Sequence, residues 1–105
     1  MEVDPEKSAL WGELNGQTGK ISWKEIERHF ARGRVVWVAP DLDLVDVAVS
    51  MVRDDKSLIE QFMTTAKLVP LTDEQAGDWS GREAELWAVV AAPWVLVQER
   101  SAGPA

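Results

Sequence analysis

The sequence predicts an α+β fold in which four to five helices pack on a small, mainly antiparallel three-stranded sheet. Two observations lead there. Apolar residues recur at helical spacing in several segments, most of them introduced by an Asp, Ser or Thr suited to capping. Between them lie short runs rich in Val, Leu and Trp (RVVWVAP, LVPL and LWAVVAAPWVLVQ) bounded by turn-forming or charged residues. At 105 residues the chain has the bulk for one domain, 1–105, with one core.

Asp4-Pro5-Glu6 opens a first, peripheral helix within residues 1–17: a cap, a proline at the first helical position, and an acid at the positive dipole end. Leu10, Trp11 and Leu14 form its apolar side, and Asn15-Gly16 marks its stop. A second helix is expected over Ile21–Arg32, with Ser22 and Glu25 at capping-box spacing and Trp23, Ile26 and Phe30 as the buried stripe. Gly33 supplies its left-handed terminus. Val35–Ala39 then reads as a strand.

Asp41 is expected to cap a strongly apolar helix to about Arg53. Its polar surface is one narrow stripe, Asp43, Asp46, Ser50 and Arg53, so the helix should lie deep in the fold. Ser57 and Glu60 have capping-box spacing for a helix to about Lys67, buried through Leu58, Ile59, Phe62, Met63 and Ala66. Leu68–Leu71 holds a proline and therefore suits a sheet edge. Thr72 and Gln75 cap a short last helix ending near Ser80-Gly81, with Leu71 and Ala76 placed for a hydrophobic staple.

The run Leu86–Val97 carries no charge but is too short for a bilayer, which takes about 20 apolar residues as helix. It reads as a strand buried on both faces. Pro93 cannot donate to a ladder, and tight two-residue hairpins usually need positive φ, so one long strand kinked near Pro93 is expected rather than a hairpin. SAGPA reads as a frayed tail over 100–105 with Arg100.

Taken together, the phrases ISWKEIERHFARG, VAPDLDLVDVA and LWAVVAAPWVLVQE resemble a family of small bacterial proteins, domain of unknown function 2288. The resemblance runs from the Gly19 region to Glu99 and leaves Met1–Gln17 and SAGPA outside. It implies a cytosolic bacterial protein without an assigned activity. It brings no catalytic residues.

Composition narrows the function classes. There is no cysteine, so disulfides and thiolate metal sites are excluded. The acidic MEVDPEK start carries no apolar run, so a cytoplasmic location is expected. Net charge is −7, which opposes non-specific nucleic-acid binding. Yet between positions 18 and 34 the cations Lys20, Lys24, Arg28, Arg32 and Arg34 face only Glu25 and Glu27.

No catalytic motif is complete. GQTGK lacks both the first glycine and the hydroxyl of a phosphate loop and reads as a turn. DWSGR lacks the symmetric glycines of a nucleophile elbow. His29 is the single histidine. The expected function is therefore that of a non-enzymatic interaction protein, self-associating as a dimer or docking to a protein partner. Its candidate surface is the cationic stripe Lys24, Arg28, Arg32 and Arg34, the acidic pair Asp43 and Asp46, and the tryptophans Trp37 and Trp94. Trp94, beside Pro93, is the leading exposed anchor, while Trp23 and Trp87 suit the core and Trp37 and Trp79 are harder to bury. No cofactor, metal, small molecule or membrane is expected.

Two alternatives belong to other classes. The element order is partly that of a winged helix, which would place Lys56–Lys67 in a groove of nucleic acid with Gln61, Thr64 and Thr65 outward. Only Lys56 and Lys67 are basic there, against Glu60, so the phosphate attraction is weak. A metal-assisted hydrolase would instead use Asp41, Asp43 and Asp46 as hard oxygen ligands, provided they converge.

Overall fold

The computed structural model describes residues 5–82 and 84–100. Its elements are α1 (Pro5–Gln17), β1 (Gly19–Ile21), α2 (Trp23–Ala31), β2 (Val35–Val38), α3 (Leu44–Val52), α4 (Lys56–Thr64), β3 (Leu68–Pro70), α5 (Asp73–Arg82), β4 (Leu86–Ala91) and β5 (Trp94–Glu99). The α+β class is as expected, but the sheet has five strands, in the order β1-β4-β5-β2-β3. It is mixed: β2 and β5 run parallel, and the other pairs are antiparallel.

Two features account for the extra strands. Residues 86–99 are not one kinked strand but a hairpin, with Leu86 facing Glu99 and Ala91 facing Trp94. The connection is Ala92-Pro93, joined by a cis peptide bond. Neither Ala92 nor Pro93 has positive φ, so the chain reverses here without a primed turn. The second feature is β1, three residues that gain their ladder from β4 through Gly19↔Ala88 and Ile21↔Leu86. The hairpin occupies the interior of the sheet rather than its flank, so the winged-helix order does not become a winged-helix architecture.

Alternation along the strands sends apolar side chains to both faces, and each face has its own core. On one face Val36, Val38, Val89 and Leu96 meet Leu44, Val47 and Ala48 of α3 and Leu14 of α1. On the other, Val35, Leu86, Val95 and Val97 meet Ile26 of α2 and Ala76 and Trp79 of α5. The sheet is thus covered by helices on both sides, which is why α3 has six buried residues and little polar surface.

Several helix starts follow the sequence. Ser22 and Glu25 form a complete capping box. Thr72 and Gln75 do the same, each backbone N–H donating to the other's side-chain oxygen at 3.1 Å. Others differ. The cap of α3 is Asp43, which accepts from the backbone N–H groups of Val45 (2.9 Å) and Asp46 (3.1 Å). Asp41 pairs with Lys67 instead. The cap of α4 is Asp55, bound by the Leu58 N–H at 3.2 Å, and not Ser57. The expected buried side of α4 is only partly covered: Leu58, Ile59 and Phe62 are half-buried, while Met63 and Ala66 are exposed. The α1 helix runs past Asn15-Gly16 to Gln17 and is anchored on α3 by the Trp11 indole N–H, which donates to Asp46 at 2.8 Å. The expected cap at Asp4 and the SAGPA tail lie outside the described residues.

Helices α2, α3 and α4 end alike. The residue after each cap has positive φ: Gly33 (70°), Asp54 (54°) and Ala66 (57°). In each, two further backbone bonds close back on the last turn. For α4 they are Ala66 N–H to Met63 at 3.0 Å and Lys67 N–H to Phe62 at 2.9 Å. Only the first site carries the residue that this conformation favours. A methyl at Ala66 is strained there, and its side chain is exposed. Ala66→Gly is therefore expected to raise stability by about 1 kcal/mol, read as an increased urea midpoint.

The last helix is tied to β5 by charge. Arg82 bonds Asp78 at 2.7 Å and Glu99 at 2.9 Å, and Glu99 also accepts from the Trp79 indole at 3.1 Å. The Arg82 guanidinium holds both carboxyls below their usual range. A carboxyl whose folded value is depressed contributes stability that is present above its unfolded value and is lost as pH falls through the folded one. Thermal melts from pH 7 downward should show wild type losing its advantage over Arg82→Gln below about pH 4. Equal advantage at pH 7 and pH 2.5 would rule out this ion-pair origin.

Candidate functional site

The α3–α4 side of the sheet does not close at its end. Helix α3 stops at Val52 and the chain turns through Asp54-Asp55 into α4. Near that turn the hairpin tip and the start of β5 leave Ala92, Pro93 and Trp94 exposed. The result is a cleft of about 580 Å³, with Met51, Ile59, Met63 and Leu68 on one side and Pro93 and Trp94 on the other. Its size suits a ligand or an inserted side chain.

Each wall has a local cause. Trp94 begins β5 and by alternation shares the face of Leu96, whose neighbours are α3 residues; lacking that cover, it remains 40% exposed. Met63 lies one turn after Ile59 on the apolar side of α4, and it is 54% exposed. Leu68 comes from the edge strand β3, which the internal proline Pro70 confines to the margin of the sheet. Asp54 is the one ionisable side chain among the lining residues. Little acid–base chemistry is available to such a site, whereas apolar surface is plentiful. Its two methionines are unbranched and polarizable, a surface that adapts to the shape of an apolar guest.

The candidate residues from the sequence fall in different places. Lys24, Arg28, Arg32 and Arg34 are all exposed, along α2 and just past its end. Among the described residues none of their side chains meets a hydrogen-bonding or ion-pair partner. Lys20 is different: it sits on β1 and pairs with Glu85 at 2.7 Å. Trp37 is half-buried against the core beneath α2 and α5. Asp43 and Asp46 lie across the sheet from the cations, the first capping α3 and the second receiving Trp11.

Asp41, Asp43 and Asp46 therefore do not converge, and among the described residues no three His, Asp or Glu side chains are grouped to hold a metal ion. Trp79, judged hard to bury, is 2% exposed. His29 is half-buried beside a shallower recess with Lys20, Glu25 and Val90.

Trp94 was legible as a surface indole; the cleft around it was not. Met51, Ile59, Met63 and Leu68 read as core because their spacing is that of buried residues. The signal that distinguishes them is tertiary, the open gap over the hairpin tip. A paired Ile59 and Met63 facing a second methionine is the nearest hint in the sequence.

Comparison with known proteins gives a family and a fold. The model of the family described as protein of unknown function (DUF2288) matches residues 9–99. That match starts before Gly19, so the second half of α1 lies inside it. The chain is similar to PA1075 from Pseudomonas aeruginosa, known from an NMR solution structure: identity is 36%, the TM-score is 0.80, and the match covers 100% of this chain and 97% of the other. No curated protein matches. Among the described residues no helix is long and apolar enough to cross a membrane.

Proposed function

The chain belongs to the DUF2288 family of proteins of unknown function, and from that premise we propose that it is a non-enzymatic interaction protein that docks a segment of a protein partner in the Trp94 cleft. The observation that carries this reading is the cleft itself, apolar, open, and rimmed by two large exposed apolar side chains, Met63 and Trp94. Exposed tryptophan beside a preformed recess is the composition of an interface anchor rather than of a reaction centre. With Asp54 as the one ionisable lining group among the described residues, the cleft offers no paired acid and base there of the kind that most hydrolytic chemistry needs.

Self-association through cationic and acidic stripes has less support. Asp43 and Asp46 already serve as a cap and as the acceptor for Trp11, which leaves them less available to a second copy.

Peptide selection tests the reading directly. A random peptide library is selected against the folded protein, with the Met63→Glu variant as counter-target. Met63 is exposed, so this change should leave the thermal melt close to wild type while placing a charge in the cleft. Enriched peptides are expected to bind the variant at least ten-fold more weakly. Peptides that bind both proteins equally, or no enrichment at all, would remove the cleft as the docking site.

A further inference from the structure

We infer that the segment received by the cleft is acidic and amphipathic, with large apolar side chains in the cleft and flanking carboxylates on Arg32 and Arg34. The inference rests on the docking reading above and adds the partner's chemistry.

Gly33 lines the cleft, and Arg32 and Arg34 are its two chain neighbours. Arg34 also fixes the position of the mouth, because its carbonyl accepts from the Val95 N–H at 2.9 Å, one residue after Trp94. Both guanidinium groups are exposed and, among the described residues, meet no carboxylate. Several other described cations are held: Lys20 by Glu85, Lys67 by Asp41 and Arg82 by Asp78 and Glu99, while Arg100 stacks on Trp87; Lys24 and Arg28 extend the unpaired stripe along α2, away from the cleft lining. Carboxylates outnumber Lys and Arg by 18 to 11. Of the unpaired cations of α2 and its end, Arg32 and Arg34 are the two that adjoin a residue of the apolar cleft, and they mark where an outside carboxylate fits. Arginine suits that task because its planar fork binds a carboxylate through two hydrogen bonds.

The net charge of −7 does not cancel this attraction. At physiological salt, exposed charges are screened beyond about 8 Å, so a bound carboxylate responds mainly to the adjacent guanidinium groups. Asp54, in the cleft lining, repels the acidic end and so sets the direction in which the segment lies.

Two other occupants fit less well. A second copy seated cleft to cleft would bring like-charged Arg32 and Arg34 rims together. A small amphiphilic carboxylate would fill the floor but leave the outer faces of Met63 and Trp94 wet, whereas an amphipathic helix covers floor and rim together.

The test is an NMR titration of the isotope-labelled full chain with three synthetic helical peptides. All three carry the same Leu and Phe positions on one face; the remaining positions are Glu, Gln or Lys. Dodecanoate and a dilution series of the protein alone serve as the other arms. The Glu peptide is expected to shift the Trp94 indole and the amides of Gly33 and Met63. Its affinity should fall at least ten-fold when Arg32→Glu and Arg34→Glu are combined, and the Lys peptide should bind at least ten-fold more weakly to wild type. The milder Arg32→Gln variant guards against a folding defect.

Equal binding of the Gln or Lys peptide at these residues would overturn the acidic partner while leaving the docking reading standing. Shifts there from dodecanoate but from no peptide would overturn both in favour of a small amphiphile. Shifts on concentration alone would assign the cleft to a second copy, and absence of any shift would overturn both readings.

Discussion

Replacing Trp79 by alanine is expected to destabilise the protein by about 3–5 kcal/mol. The indole is 2% exposed and lies within the core on the α2–α5 face. Removing it takes away the largest apolar group that α5 contributes and opens a cavity that a ten-residue helix cannot fill by sliding. It also removes the donor to Glu99, whose carboxylate then relies on Arg82 alone. Trp79→Phe separates the two effects. It keeps an aromatic ring in place and deletes the hydrogen bond, so its cost should be well under half that of alanine. Urea denaturation followed by circular dichroism reads both. A loss below about 1 kcal/mol for the alanine variant would mean that α5 is not docked as described.

The second large effect is expected at Gln98. This residue is 2% exposed on β5, and its amide N–H groups donate to the carbonyls of Ala39 (2.8 Å) and Leu42 (2.7 Å). Those carbonyls belong to the connection between β2 and α3, which is otherwise held by the Ala39 N–H on the Lys67 carbonyl and the Leu42 N–H on the Ala39 carbonyl. The Gln98 side-chain oxygen accepts from Arg100 at 3.1 Å, and Arg100 in turn lies over the Trp87 ring at 4.7 Å. Gln98→Leu conserves volume but takes the amide donor from the Leu42 carbonyl and leaves the Ala39 carbonyl with the Leu42 N–H alone, a loss of about 2–3 kcal/mol. Gln98→Glu should be worse at pH 7, because a carboxylate can only accept and would face two carbonyl oxygens. Protonation restores one donor, so the gap between Gln98→Glu and wild type should narrow in acid. A gap that widens or stays constant on acidification would show that the two carbonyls do not depend on this amide.

Much of the fold was written locally. The pairs Ser22/Glu25 and Thr72/Gln75, the turn at Gly33 and the edge position of Pro70 each depend on residues within a few places of one another, and each stands where its spacing put it. What was hidden depended on distance along the chain. Asp41 and Asp43 are equally good caps by sequence; Lys67, 26 residues on, holds the first and leaves the second to the helix. The β1 strand has three residues and no pattern of its own until β4 lies beside it. The cleft is the same kind of case. Ile59 and Met63 have the spacing of buried residues, yet both line the cleft, Ile59 half-buried and Met63 exposed. Composition drew attention to the cations of α2 and to Trp94, which is 40% exposed. It could not show that Gly33, between Arg32 and Arg34, lines the cleft.

The place of β5 in the middle of the sheet bears on how the chain is made. Synthesis runs from the N-terminal side, so β2 can pair with β3 and, once residues 86–91 emerge, β1 with β4, but the two pairs join only when residues 94–99 leave the ribosome. Until then the Val35–Val38 backbone offers a bare apolar border to any extended segment nearby. Products halted before Trp94 would therefore be the species that clump, and the native sheet is joined late, through its central strand.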